Sequence, residues 1–215
     1  ATVYVTLEPC AHASPRGPAC ADLLVAARPA RVAVALGDPD PRTDGAGIAR
    51  LEAAGIAVTG HVREADAERS MAGFLMRVRE ERAFVTLKLA TSLDGRIATA
   101  SGESRWITEP EARAHGHLER ARSEAILVGR GTFEADAPRL DVRLPGLEDR
   151  SPRRILLSRS VEGAQIRSRG GDIWAVARSP AALCRKAGIH HLLVEGGAET
   201  AAAFLAPDLV DRLLL

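Results

Sequence analysis

Hydrophobic and polar positions alternate along this chain with the two periods of regular secondary structure. Short apolar or β-branched runs, which are typical of buried strands, occur at residues 2–7, 31–36 and 56–60. Between and after them, apolar residues spaced by three or four positions predict helices at residues 21–28 and 48–54 and one long charged helix over residues 63–82. Strands that alternate with helices in this way indicate an α/β fold.

A second series of strands and helices follows the long charged helix. Strands are predicted at residues 84–90, 125–128, 154–157, 173–177, 191–195 and 210–215, and a helix at residues 110–122. We therefore predict two domains, residues 1–82 and residues 83–215. Because the chain closes inside a predicted strand, we expect it to be a piece of a longer protein.

Composition narrows the class of ligand and the compartment. The chain has 29 basic and 28 acidic residues, so no excess of positive charge favours nucleic acid or anionic lipid. A small solute is the expected substrate. Three cysteines with one close pair argue against a disulfide framework and for a reducing compartment. Since no apolar run is long enough to span a membrane and no signal peptide opens the chain, we expect a cytoplasmic protein.

Two cysteines stand where the first strand gives way to a helix. Cys10 ends the run Leu-Glu-Pro-Cys, and Cys20 lies at the start of the helix, a position that favours the metal-ligating thiolate. Zinc deaminases combine His-x-Glu with a later Pro-Cys-x-x-Cys, and only the second half has a counterpart here. Spacing alone fits two buried core cysteines equally well. The nearby His12 is interpreted as a solvent or substrate contact.

Lys88 is one of only two lysines in a chain with 27 arginines. A site that needs a compact ammonium would retain a lysine, although chance would leave the same count. Alternation along the strand places Lys88 on one face with Thr86 and Ala90, toward a cleft or water. The polar residues that follow, up to Trp106, suit a pocket for a planar cofactor and a polyhydroxy substrate, and an ordinary hairpin with polar turns explains them as well.

Further anion-binding candidates occur later in the chain. The pair Gly196-Gly197 opens an Ala-rich helix whose first N–H groups are suited to a phosphate, although a tight turn also explains it. Arginines 120, 139 and 143 offer forked donors for a phosphoryl group or form solvated surface. His115 and His117 stand two apart on a predicted helix, point to different faces and are assigned to its surface.

Together these motifs resemble one family, the RibD enzymes of riboflavin biosynthesis, which join a pyrimidine deaminase to a pyrimidine reductase. The likeness covers essentially the whole chain and rests on YVTLEPCAH (4–12), PACAD (18–22), DPDP (38–41), KLATSLDGRIA (88–98), SGESRWI (101–107), AILV (125–128), GT (131–132) and VEGG (194–197). It implies a truncated cytidine-deaminase-like α/β domain followed by a dihydrofolate-reductase-like α/β domain that uses NADPH. We expect a homo-oligomer.

The resemblance also implies roles for individual residues. Cys10 and Cys20 match two Zn²⁺ ligands, while the His ligand and the proton-carrying Glu would precede Ala1. The implied NADPH contacts are Ala90, Trp106, Thr132, Asp136, Ser158, Gly197, Ala198, Glu199, Thr200, Ala201, Ala202 and Ala203. The implied substrate contacts are Ser104, Arg120, Leu140, Arg143 and Glu195, with Arg120 and Arg143 on the substrate phosphate.

The implied reactions act on phosphoribosylaminopyrimidines. They are the zinc-dependent deamination of 2,5-diamino-6-(5-phosphoribosylamino)pyrimidin-4(3H)-one and the NADPH-dependent reduction of the ribosyl group of 5-amino-6-(5-phosphoribosylamino)uracil to ribityl. From position alone, we add two roles. Lys88 is our candidate catalytic residue near the sugar, and Arg159, between Ser158 and Ser160 at a strand end, is our candidate for the 2′-phosphate of NADPH.

Two other functions stay open at this point. In the first, only the reductase is active and the deaminase-like part is structural, which the presence or absence of an upstream His-x-Glu would decide. In the second, a nucleic-acid deaminase is fused to an unrelated domain. That reading needs a basic surface with aromatic side chains, which 3% aromatic residues and a balanced charge do not favour.

Overall fold

The computed structural model describes residues 1–15, 17–104, 106–168 and 171–215. These form two compact units, Ala1–Glu80 and Glu81–Leu215. Arg105, within the polar run noted above, lies outside the described residues. None of the helices in the described part of the chain is long and apolar enough to cross a membrane.

The first unit is built on a small parallel sheet. Its described strands are β1 (Thr2–Leu7), β2 (Arg31–Leu36) and β3 (Ala57–Thr59), in that spatial order. Helices α1 (Cys20–Ala27) and α2 (Ala46–Ala53) connect them, and α3 (Glu64–Ser70) and α4 (Ala72–Glu80) follow. The central strand β2 is buried over almost its whole length, as expected for a strand with neighbours on both sides and helices over its faces.

The prediction of one continuous helix over residues 63–82 is wrong. The helix breaks at Met71, whose φ of −112° and ψ of 14° lie outside the helical region. Two local features account for the break. The hydroxyl of Ser70 donates to the carbonyl oxygen of Ala67, which competes with helix continuation, and Met71 packs on an apolar cluster containing Leu36 and Leu75. Both short helices can thereby bury a face in the same cluster.

The second unit is a larger mixed sheet with helices. Its described strands are β4 (Phe84–Lys88), β5 (Ala125–Gly129), β6 (Arg153–Leu157), β7 (Gln165–Arg167), β8 (Ile173–Ala177), β9 (His191–Val194) and β10 (Arg212–Leu214), in the spatial order β10-β4-β9-β5-β6-β8-β7. Neighbours are parallel, except that β7 runs antiparallel to β8. The helices are α5 (Pro110–Ala121), α6 (Arg130–Asp136), α7 (Pro180–Cys184) and α8 (Ala198–Leu205).

The α/β fold predicted from the sequence is confirmed, and one strand of the larger sheet was missed. Gln165–Arg167 is three residues long with one apolar side chain, so it carries no periodicity to detect. The central strands are buried on both faces. Leu127 and Phe204 belong to the cluster on one side, and Ile126 and Trp174 to the cluster on the other, so the sheet forms a rigid support for the residues at its strand ends.

Candidate active site

The carboxyl ends of the central strands in the second unit open into a large cavity of about 1100 Å³. Its walls include residues at the ends of four strands: 88–90 at the end of β4, 129–132 at the end of β5, 157–160 at the end of β6 and 195–200 after β9. In an open parallel sheet the carboxyl ends of the strands lie at one edge, so loops distant in sequence converge there. This edge is where ligands bind in such folds.

A smaller cavity of about 390 Å³ adjoins the first. Both cavities are lined by Lys88, Ala90, Ser104, Ile107 and Glu195, which therefore lie where the two meet. The other walls of the small cavity come from Trp106 and Thr108 just before helix α5, from α5 itself and from Arg143.

Two glycines let helix α8 approach the sheet closely at the large cavity. The buried Thr200 lies against both: a Cβ on Gly129 would be 2.2 Å from Thr200 Oγ1, and one on Gly196 would be 2.5 Å from Thr200 Cβ. The helix has no side-chain N-cap, and its first turn lines the large cavity. Its first N–H groups are therefore available to an anion, and the helix dipole favours one there.

Arg120 is fixed by an ion pair in the small cavity. Its Nε and Nη2 donate to the two carboxylate oxygens of Glu195, each over 2.8 Å, and its Nη1 donates to the carbonyl oxygen of Asp141 over 3.1 Å. Burial opposes the charged form of Arg120, but these hydrogen bonds and the charges of Glu195 and Asp141 outweigh it, and the pKa of Arg120 is raised. A guanidinium has five N–H groups, so two remain for a ligand.

Helix α5 turns one face toward the small cavity. Arg113, His117 and Arg120 stand at positions i, i+4 and i+7 of this helix and all line the cavity. Arg113 lies 4.5 Å from the ring centroid of Trp106 and donates to the carbonyl oxygen of Thr108, which holds the segment before the helix in place. The sequence analysis did not select Arg113, and its assignment of His117 to the helix surface is wrong, because the ring is partly buried in the cavity wall. Helical spacing from Arg120 is the signal that identifies both residues.

In the first unit, Cys10 and Cys20 lie side by side. The backbone N–H of Cys20 donates to Cys10 Sγ over 3.2 Å. The hydrogen bond between the thiols, then burial and the Cys10 charge, raise the pKa of Cys20. Two thiols are suitable zinc ligands, but the described residues contain no group of three His, Cys, Asp or Glu side chains that could hold a metal ion. The described residues thus do not complete a zinc site. His12 contacts Thr43, with 3.3 Å between Nδ1 and Oγ1.

A buried carboxylate fixes the segment beside these cysteines. Glu8 is 3% exposed and accepts backbone N–H groups from four residues. They are Asp38 (3.3 Å), Gly45 (3.0 Å), Gly47 (2.9 Å) and Ile48 (3.1 Å). Helix α2 has no side-chain N-cap of its own, so Glu8 supplies both the acceptors and the negative charge at its start.

Replacing Glu8 with glutamine is expected to lower the free energy of unfolding by about 2–4 kcal/mol, because the amide loses one acceptor and turns a donor toward backbone N–H groups. Urea unfolding of the full-length protein measures the change, provided that the transition is monitored with a probe that reports on the first unit, Ala1–Glu80. Glu52→Gln on the exposed side of α2 is the matched control and should change stability by less than about 0.5 kcal/mol. Equal midpoints for the two variants would refute the role of Glu8.

Comparisons with known proteins identify the family. Residues 83–215 match the family model described as the RibD C-terminal domain. The riboflavin biosynthesis protein RibD of Haemophilus influenzae is 36% identical over 253 aligned residues, which include 100% of this chain and 68% of that protein. The chain belongs to the RibD family.

Solved RibD structures agree with the fold. Form 1 of Acinetobacter baumannii RibD has a TM-score of 0.82 and 35% identity over 99% of this chain and 67% of its own. The diaminohydroxyphosphoribosylaminopyrimidine deaminase/5-amino-6-(5-phosphoribosylamino)uracil reductase of Thermotoga maritima has a TM-score of 0.84 and 33% identity over 99% of this chain and 66% of its own. The chain therefore spans about two thirds of the length of these relatives and contains the reductase domain of the family.

Most of the NADPH contacts predicted for this RibD chain lie at the large cavity. They are Ala90, Thr132, Asp136, Ser158, Gly197, Ala198, Glu199, Thr200 and Ala203. Trp106 lines the small cavity. Ala201 and Ala202 are absent from the described walls of both, because Thr200 and Ala203 form the cavity side of α8, while Ala201 is buried toward the sheet and Ala202 is exposed.

The predicted substrate contacts separate into two groups. Ser104, Arg120, Arg143 and Glu195 lie around the small cavity. Leu140 is instead buried in the apolar cluster that contains Trp174, and it is not among the described residues of either wall. Arg139 is also outside both described walls and pairs with Asp141, with 2.9 Å between Nη2 and Oδ2. Of the three arginines that the sequence analysis proposed for a phosphoryl group, Arg120 and Arg143 thus line the small cavity.

Proposed function

We propose that the second unit of this RibD chain is an NADPH-dependent reductase, which converts the ribosyl group of 5-amino-6-(5-phosphoribosylamino)uracil to ribityl. The observation that carries the proposal is the meeting of two cavities at Lys88 and Glu195. The large one has the size and the helix N-terminus that suit a dinucleotide, and the small one has Arg120 and Arg143, which suit a sugar phosphate. The name of the Thermotoga maritima relative includes this reductase activity.

The residues around the large cavity fit the parts of NADPH. The start of α8 suits the pyrophosphate, and Arg159 and Arg178 lie at the ends of the paired strands β6 and β8. Both arginines are exposed and form no ion pair with the described carboxylates, which leaves them available to the 2′-phosphate. When bound, the cofactor supplies a hydride for C1′ of the sugar.

The residues at the junction of the cavities fit the sugar. Lys88 is half-buried at the end of β4, where its ammonium can hydrogen-bond sugar hydroxyls and stabilise negative charge near C1′. Glu195 is held by Arg120 in one orientation, so its carboxylate is positioned before substrate binds. The side chain of Arg143 is 62% exposed and pairs with Asp141, with 3.4 Å between Nε and Oδ1, so it can exchange this exposed pair for the substrate phosphate.

Oxidation of NADPH by the full-length protein tests this function. With 5-amino-6-(5-phosphoribosylamino)uracil present, the NADPH absorbance should fall and mass spectrometry should show the ribityl product. The same pyrimidine without its phosphate should react far less well. A folded protein that binds NADPH but leaves the phosphorylated substrate unchanged would overturn the proposed reaction.

Arg159→Ala and Arg178→Ala are each expected to weaken NADPH binding by about 10- to 100-fold and to leave NADH binding unchanged, because a charge-assisted hydrogen bond contributes about 1.5–3 kcal/mol. Titration of the full-length variants with both cofactors measures the ratio. Arg150→Ala, an exposed arginine outside the described walls of both cavities, is the control. An equal loss of affinity for NADPH and for NADH would show that these arginines do not bind the 2′-phosphate.

We further propose that the full-length protein deaminates 2,5-diamino-6-(5-phosphoribosylamino)pyrimidin-4(3H)-one, with Cys10 and Cys20 as two ligands of Zn²⁺. The adjacent thiols at the start of α1 support this, as does the deaminase activity named for the Thermotoga maritima relative. Since the described residues bring no third ligand to the thiols, the activity is proposed for the longer protein. A purely structural role for the first unit is the competing outcome.

A further inference from the structure

His117 of helix α5 connects the helix to the segment that carries Arg143. Its Nδ1 lies 3.1 Å from the carbonyl oxygen of Asp141 and 3.2 Å from the backbone nitrogen of Arg143. The ring is partly buried and lines the small cavity together with Arg120 and Arg143. His117 therefore touches the backbone of a residue that the proposed function places on the substrate phosphate.

Hydrogen-bond accounting decides which of the two contacts His117 makes. The carbonyl oxygen of Asp141 already accepts Arg120 Nη1 over 3.1 Å, whereas the described acceptor for the backbone N–H of Arg143 is His117 Nδ1. An unprotonated Nδ1 accepts the Arg143 N–H and leaves the Asp141 carbonyl oxygen to Arg120. A protonated Nδ1 would donate to that carbonyl oxygen but would face the Arg143 N–H donor to donor. The neutral ring with its proton on Nε2 is thus the form that leaves both backbone groups paired.

The charges around the ring favour the same form. Burial first, and then the positive charges of Arg120 and Arg143, lower the pKa of His117, while the Asp141 carbonyl and the Glu195 charge oppose the shift. The lowered pKa favours the neutral ring, and the Arg143 N–H selects the tautomer that has its lone pair on Nδ1.

We infer that His117 is a positioning residue of the reductase, which accepts the Arg143 N–H on Nδ1 and thereby places the Arg143 guanidinium at the small cavity. Three contacts from α5 and the 148–151 turn hold the 141–143 segment: Arg120 on the Asp141 carbonyl, Ser151 on the Val142 N–H and His117 on the Arg143 N–H. His117 makes the one nearest to the arginine. Its contribution to catalysis rests on the proposed function, but the hydrogen bond itself does not.

Asparagine and glutamine at position 117 separate this role from direct contact with substrate. Asparagine can place its amide oxygen near the position of Nδ1, whereas glutamine reaches the position of Nε2. In the full-length protein, His117→Gln and His117→Leu are expected to raise KM for the phosphorylated substrate about 5- to 10-fold with kcat preserved, and His117→Asn is expected to stay within about twofold of wild type. The same changes at His115, which is exposed two residues earlier on α5, are the matched controls and should leave KM unchanged.

A double-mutant cycle with Arg143→Ala tests whether His117 acts through Arg143. If it does, His117→Leu adds little to the KM of the Arg143→Ala protein; additive effects would overturn the inference. Rescue by glutamine in place of asparagine would also overturn it and assign His117 to direct substrate contact through Nε2. Wild-type KM in all three His117 variants would remove the role altogether.

Hydrogen exchange gives a readout that does not depend on turnover. His117→Gln and His117→Leu should speed amide exchange in residues 141–143, and His117→Asn should not, while thermal melting and NADPH binding stay as in wild type. Unchanged exchange in the Leu variant would refute the Nδ1 hydrogen bond even if the protein reduced no pyrimidine. An inactive wild type with the expected exchange pattern would instead refute the proposed function alone.

Discussion

Replacing Lys88 with methionine is expected to lower kcat and kcat/KM for ribosyl reduction together by about 10²- to 10³-fold, the usual effect of removing one group that stabilises developing charge. Methionine keeps much of the apolar stem and removes the ammonium. Lys88 lines both cavities, so its charge lies where cofactor and sugar must meet. Steady-state kinetics on the folded full-length variant measures the effect.

Lys88→Arg distinguishes charge from shape. Arginine keeps the charge but brings a planar, larger head group, and it should also impair reduction if a compact ammonium is required. Lys186→Met, at an exposed position outside the described cavity walls, is the control and should behave as wild type. A higher KM with unchanged kcat in Lys88→Met would indicate a binding role only. Turnover by Lys88→Met near the wild-type rate would show that Lys88 has no role in the reaction.

Local periodicity was enough to predict the described strands other than β7, because each of them has its own apolar pattern. The bounds predicted for β1, β2 and β8 agree with the structure. The break at Met71 was not predictable in this way, because neither the Ser70 hydroxyl bond to the Ala67 carbonyl oxygen nor the packing of Met71 on a cluster shared by both helices appears in the apolar period. The short strand β7 was missed because it has no hydrophobic pattern of its own and is defined by its pairing with β8.

The candidate site was predictable to the extent that it follows strand ends. Alternation predicted that Lys88 faces a cleft or water, and the structure places it at both cavities. The glycine pair at 196–197 marked the start of α8. The pairing of Arg120 with Glu195 was not predictable, because the partners are 75 residues apart and meet only through the order of β5 and β9. The sequence analysis treated Arg120 as a phosphate donor or as solvated surface, whereas in the structure three of its N–H groups already donate to protein acceptors.

This commitment changes the interpretation of phosphate binding in the small cavity. Arg120 contributes a fixed charge and two remaining N–H groups, and the exposed Arg143 can adjust to the ligand. Because Arg120 is fixed, Arg143 has to meet the ligand beside it, and it can do so reliably only if its backbone has a defined position. The contact between His117 and the Arg143 backbone provides that position, which is why a helix residue that no motif marks matters for the site.

Replacing Cys10 or Cys20 with serine in the full-length protein is expected to abolish deamination and zinc binding and to leave NADPH-dependent reduction within about twofold of wild type. Serine removes the thiolate that a structural or catalytic zinc site requires. The reductase should persist because residues Glu81–Leu215 form a compact unit with their own apolar core. Zinc content by elemental analysis and separate assays of both reactions measure the three quantities.

The buried Cys184 in the second unit provides the thiol control, and Cys184→Ala should retain zinc and deamination. The 215-residue chain alone is expected to show no deamination, because its described residues bring two thiols together without a third ligand. Zinc-dependent deamination by this chain would show that Cys10 and Cys20 bind zinc together with a further ligand outside the described residues. Loss of both activities in Cys10→Ser would instead show that the first unit supports the reductase. Unchanged zinc content and unchanged deamination would show that the two thiols are not zinc ligands.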